Sequence, residues 1–109
     1  MLPPRMTELL HLADRLQAEL RSLGEWDNDP SRIPEPKGAF GAETVAFGQW
    51  IQVVLLERLR QVAAGDGELP KRSMLAARAT REYDGELDRY TALIAILREI
   101  DEVVERGRG

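Results

Sequence analysis

The amino-acid pattern predicts an all-α fold: a four-helix, bundle-like domain spanning residues 1–109, with a long proline-containing loop between helices one and two. Three observations predict it. Apolar residues recur at three- and four-residue spacing along the long segments. Glycines mark the breaks between those segments. One segment, Glu43 to Ala64, is apolar nearly all round and so needs cover on several sides. A chain of 109 residues supports one domain with one hydrophobic core.

Helix one is expected over Thr7 to Leu23. Leu9, Leu12, Ala13, Leu16, Leu20 and Leu23 form its stripe, with Thr7 as N-cap and Gly24 as the stop. His11 falls on the opposite, solvated face. The loop Glu25 to Gly41 follows, with Asp27-Asn28-Asp29-Pro30 as a turn signal. Trp26, Ile33 and Phe40 are its apolar anchors, and a loop of this length is expected to pack across the helices.

Helix two is expected over Glu43 to Ala64. Phe47, Trp50, Ile51, Val54, Leu55 and Val62 make its main stripe. Val45, Val53, Leu56 and Ala63 lie on the other side, which suits either the central helix of a monomer or a helix shared with a second chain. Gly48 costs about 1 kcal/mol relative to Ala inside a helix, and a close-lying neighbour would explain it. Gly65-Asp66-Gly67 ends the helix. A shorter third helix is expected over Ser73 to Tyr83, with Ser73 as N-cap. The fourth is expected over Glu86 to Arg106, with Tyr90, Leu93, Ile94, Leu97, Ile100 and Val104 inward.

Composition narrows the chemistry. There is no cysteine, which removes disulfides, thiol nucleophiles and cysteine-based zinc sites and fits a reducing cytoplasm. Met1 to Met6 holds two prolines and an arginine, so no secretory leader is expected, and no run of about 18 apolar residues would span a membrane. The net charge of −4 offers no bulk attraction to nucleic acid. Phosphate-binding loops, dinucleotide fingerprints, HExxH and GxSxG are all absent. His11 stands alone, and no Glu-x-x-His occurs, so neither a metal site nor a cofactor is expected.

Two sets of residues stand out. At about 100° per residue, Arg58 falls in the middle of helix two's stripe, and Asp101 falls within helix four's. An unpaired buried charge is costly, so the economical expectation is that Arg58 and Asp101 pair across the bundle as a structural ion pair or polar site. Trp26, Phe40, Thr44, Phe47 and Trp50 are the candidates for lining a pocket or for docking the loop on the helices.

Trp26 with Asp27 and Pro30, the run from Phe40 through Glu43-Thr44, Phe47 and Gln49-Trp50-Ile51-Gln52 to Val54, then Leu69-Pro70 and Ile100-Asp101, together resemble the YqcC-like family of small uncharacterised bacterial proteins. The resemblance covers roughly Leu9 to Val104. Members often have Pro-Arg-Met where this chain has Glu57-Arg58-Leu59, so helix two is expected to run straighter here. The Met74 to Ala79 segment matches only loosely. The resemblance implies a four-helix, bundle-like protein of the bacterial cytoplasm and assigns no catalytic residue. In some genomes the gene of such a protein adjoins one for a tRNA pseudouridine synthase. Arg58 and Asp101 both match the family and gain weight from it.

The reading that follows is a non-enzymatic protein-interaction or accessory module, with a protein partner or self-association, no membrane and no direct nucleic-acid binding. The alternative is a small-ligand or RNA-modification-linked binding protein that uses the loop 25–41 and its aromatics.

Overall fold

The computed structural model describes residues 4–33, 46–67 and 73–106. Among these the protein is all-helical, without a strand. The elements are α1 (Pro4–Ser22), a 3-10 turn (Pro30–Arg32), α2 (Phe47–Trp50), a π turn (Ile51–Leu55), α3 (Leu56–Ala63), α4 (Leu75–Glu82) and α5 (Thr91–Arg106). No described helix is long and apolar enough to cross a membrane.

Helix α1 starts one turn earlier than its stripe suggests. The helix is already present at Pro4, so Thr7 lies inside it and is not its cap. Leu9, Leu12, Ala13, Leu16 and Leu20 are buried as their spacing predicts. The helix ends in a Schellman motif. Gly24 N–H bonds to Arg21 O at 3.0 Å and Glu25 N–H to Leu20 O at 2.9 Å, with Gly24 at φ 74°. The same device ends α3: Gly65, at φ 85°, bonds to Val62 O and Asp66 to Gln61 O.

The segments α2, π turn and α3 form one continuous helix, with right-handed helical dihedrals at every junction. Leu56 N–H bonds to Ile51 O, five residues back, which inserts one extra residue into the turn. The insertion rotates everything after it by about 100° relative to a regular helix. The buried series accordingly steps from Phe47 to Ile51, then to Leu55 and Leu56, then to Leu59, Val62 and Ala63. Leu59 takes the inward position that regular spacing gives to Arg58, and Arg58 is exposed.

This helix is not the hub of the fold. Helix α1 packs against both α3 and α5, and α5 also carries α4. Leu93, Ile96, Leu97, Ile100 and Val103 of α5 supply much of the core. The fourth helix is shorter than its pattern implies. Residues 84–90 form tight turns, with Glu86 N–H bonded to Tyr83 O, Arg89 to Glu86 O and Tyr90 to Leu87 O, before α5 begins at Thr91.

The expected Arg58–Asp101 pair does not form. The Asp101 carboxylate sits on the N-terminus of α4, where Oδ1 accepts from Leu75 N–H and Oδ2 from Ala76 N–H, both at 3.0 Å. The Ser73 hydroxyl also donates to Oδ1. Both backbone donors are among the unsatisfied N–H groups that begin every helix, and a carboxylate also complements the helix dipole there. Asp101 thus belongs on an inward stripe because its partner is a helix end, and it needs no cation.

Candidate functional site

The site grows from the Schellman turn at Gly24. That turn reverses the chain so that Glu25, Trp26 and Asp27 run back over the π turn. Gln52, on the π turn, is the one buried polar residue among the described residues, 7% exposed. Its amide matches the backbone of Asp27 on both sides: Asp27 N–H donates to Gln52 Oε1 at 3.0 Å, and Gln52 Nε2 donates to Asp27 O at 2.7 Å. A part-buried backbone segment with no secondary structure of its own is thereby satisfied at both its donor and its acceptor.

The next residues brace each other. Asp27 Oδ1 accepts from Asp29 N–H at 2.9 Å and from Arg32 Nη2 at 3.3 Å. The Asp29 amide, assisted by Arg32 and opposed by partial desolvation, holds the Asp27 carboxyl below its ordinary range. Asp29 in turn accepts from the Ser31 N–H and hydroxyl and caps the 3-10 turn. Behind the loop, the Arg21 guanidinium lies over the Trp26 ring, 5.4 Å from its centroid.

Between this braced loop and the outer face of the π turn and α3 lies an open groove of about 520 Å³. Trp26, Pro30 and Val53 give it apolar surface, and Gln52, Glu57, Arg60 and Asp66 are among its polar lining. Val53 is half-buried. Arg60 is turned towards α1, where Nη2 donates to Gln17 Oε1 at 2.6 Å and lies 3.7 Å from Asp14. Glu57 and Asp66 are exposed, and neither carboxylate has a partner among the described residues.

A second cluster lies on the other side of Glu25. Tyr83 and Tyr90 stack at 3.6 Å between centroids, and the Phe47 edge meets Tyr83 at 5.8 Å. Phe47 also stacks on Trp50, and Arg78 lies over both rings at 5.1 and 4.9 Å. Tyr90 donates to Glu25 Oε1 at 2.9 Å. Glu25 Oε2 and the Tyr83 hydroxyl are buried without a hydrogen-bond partner among the described residues. Burial, and after it the Glu25 charge, pushes the Tyr83 phenol well above its ordinary value. Burial and the hydrogen bond to Glu25 also raise Tyr90. The rings fill this space themselves, so the cluster reads as packing that ties α2, α4 and the start of α5 to the loop.

The candidate residues therefore divide. Trp26 lines the groove, while Phe47 and Trp50 belong to the aromatic cluster under Arg78, so the three do not share one pocket. Phe40 and Thr44 lie outside the described residues. Asp101 caps α4 and Arg58 is exposed, as described above. Gly48 faces the Glu25 side chain, but an added Cβ would stand 3.8 Å away, an ordinary contact, so no close approach requires a glycine there. Glu25, Arg78 and Tyr83 carry no site signal in the sequence; Tyr90 stands there only as a core residue, and Gln52 only within the run that carries the family resemblance. Gln52 had a signal: a lone amide between Ile51 and Val53 in an apolar helix must either find partners or cost stability.

No curated protein and no solved structure matches this chain. A family model described as "tRNA pseudouridine synthase C" matches residues 4–103. The chain belongs to that family, DUF446.

Proposed function

We propose that this protein is an accessory module that docks a partner protein in the groove beside Trp26, and that the partner is an enzyme of tRNA modification. The observation that supports this best is the groove: an open trough with apolar surface from Trp26, Pro30 and Val53, a braced loop beside it and exposed carboxylates at Glu57 and Asp66. A trough of this kind suits the side chains of a partner segment, whereas small-ligand sites usually bury most of their ligand. A braced loop also lowers the ordering cost of binding.

The family description names a tRNA pseudouridine synthase. We take it as pointing to the company the protein keeps. The net charge of −4 gives the chain little attraction to a polyanionic substrate. In the same reading the protein is a YqcC-like, four-helix, bundle-like domain of the bacterial cytoplasm, with residues 25–41 as its working loop.

The test is direct. The purified protein is mixed with the tRNA pseudouridine synthase encoded in the same genome, and the mass of the complex is followed by light scattering. A stoichiometric complex is expected, and Val53→Asp should abolish it. The reading fails if no complex forms at tens of micromolar, a range typical of weak specific pairs, or if the protein alone converts uridine in tRNA.

A further inference from the structure

The groove's charges say what kind of segment should occupy it. Its cation, Arg60, is already held by Gln17 and Asp14 on α1. Its anions are not: Glu57 and Asp66 stand exposed on the rim with no partner among the described residues. Among the described residues, the unbalanced charge facing an occupant is therefore negative. Trp26 and Val53 offer it apolar surface. Indole is a common anchor surface in interfaces because it provides large, rigid contact area. Asp27, beside Trp26, keeps its charge to low pH but is turned to Asp29 and Arg32, so it does not neutralise the rim.

We infer that the occupant is a basic segment of a partner protein that carries one large aliphatic anchor between lysines or arginines. The anchor sits on Trp26 and Val53, and the flanking cations meet Glu57 and Asp66. This rests on the docking reading above and adds the chemistry of the partner. A segment of that kind is characteristic of RNA-contacting surfaces, which are rich in Lys and Arg. The groove would then cover part of a surface that otherwise meets RNA.

Two tryptophans are present in the whole chain, so Trp50→Phe leaves Trp26 as the sole reporter. Trp50 lies in the other cluster, and phenylalanine retains a ring there for Arg78. The variant is titrated with three synthetic peptides: one with a central Leu flanked by Lys on both sides, one with Glu in place of every Lys, and one with Ala in place of the Leu. Only the first is expected to change Trp26 fluorescence saturably. Its affinity should fall about tenfold or more when Glu57→Lys and Asp66→Lys are combined, since two favourable contacts become repulsive. It should also weaken as salt shortens the screening length.

Equal binding of the Glu peptide, equal binding of the Ala peptide, or binding of none overturns the inference. So does tighter binding of an oligouridine RNA at the same tryptophan. The two levels of the argument separate cleanly on the enzyme itself. If its complex is lost with Val53→Asp but is indifferent to the Glu57→Lys, Asp66→Lys pair, the docking reading stands and the basic segment does not. If Val53→Asp leaves the complex intact, the groove is not the docking face.

Discussion

Replacing Asp101 with alanine removes one carboxylate from three donors: the N–H groups of Leu75 and Ala76, each at 3.0 Å, and the Ser73 hydroxyl. Alanine leaves the first turn of α4 without an acceptor from α5. Loss of a helix cap costs about 1 kcal/mol, and up to about 2 in favourable hosts. Hydrogen bonds to a charged group contribute about 1.5–3 kcal/mol, and the half-buried position of Asp101 lets water recover part of that. The expected loss is about 2–3 kcal/mol. At about 4–8 °C per kcal/mol for a domain near this size, the midpoint of thermal unfolding should fall by roughly 8–24 °C. Circular dichroism at 222 nm measures it, with urea unfolding as the check that two-state behaviour survives. Asp101→Asn keeps one acceptor oxygen and should lose less. The control is Arg58→Ala, which at an exposed site should change stability by no more than about 0.5 kcal/mol. If Arg58→Ala is as damaging as Asp101→Ala, the two residues are partners after all and the capping account is wrong.

Three further outcomes are expected. Gln52→Leu strands the amide and carbonyl of Asp27, so stability should fall by about 2 kcal/mol and the Asp27 amide should lose its protection from hydrogen exchange; retained protection would refute the staple. Gly48→Ala should stabilise the helix by up to about 1 kcal/mol, because the new Cβ meets only ordinary contacts; a destabilised variant would mean that Glu25 cannot accommodate it. The chain's two tyrosines are the stacked pair, so phenolate absorbance at 295 nm reports on them alone. Both are raised in the folded state. Their contribution is therefore complete below the ordinary phenol value of 10.0 and is lost as pH rises towards the folded values. Phenolate should appear together with helix loss in an alkaline titration, and tyrosines that ionise near pH 10 with the helices intact would contradict the burial.

Where the chain obeys uniform helical spacing, its sequence was easy to read. Leu9, Leu12, Leu16 and Leu20 of α1, and Leu93, Leu97 and Ile100 of α5, are buried where their periods place them. Gly24 and Gly65 stop their helices as expected because both take the left-handed conformation. The errors have local causes. Constant pitch puts Arg58 inward, and the π turn at Ile51–Leu55, just before it in the chain, breaks that assumption. Asp101 was correctly placed inward, but a carboxylate there is ambiguous between a cation and a row of backbone amides. A clue lay in Ser73-Met74-Leu75, a helix start whose own residues supply no carboxylate. The groove is half legible: Trp26 stands out in the sequence, but Val53, which lines the groove with it, comes beside it only through the bond from Asp27 to Gln52, 25 residues apart.

The π turn also bears on how the protein tolerates changes in the length of its gene. It holds one residue more than a regular helix would over the same span. Deleting a single codon within Ile51–Leu55 would let the helix close into regular α pitch while every later residue kept its direction, with Leu59 still inward and Arg58 still exposed. Closing the turn without losing a residue is what would carry Leu59 outward and Arg58 towards the core. A one-residue deletion should therefore be better tolerated here than within Leu56–Ala63, where no extra residue stands ready to absorb the change of register.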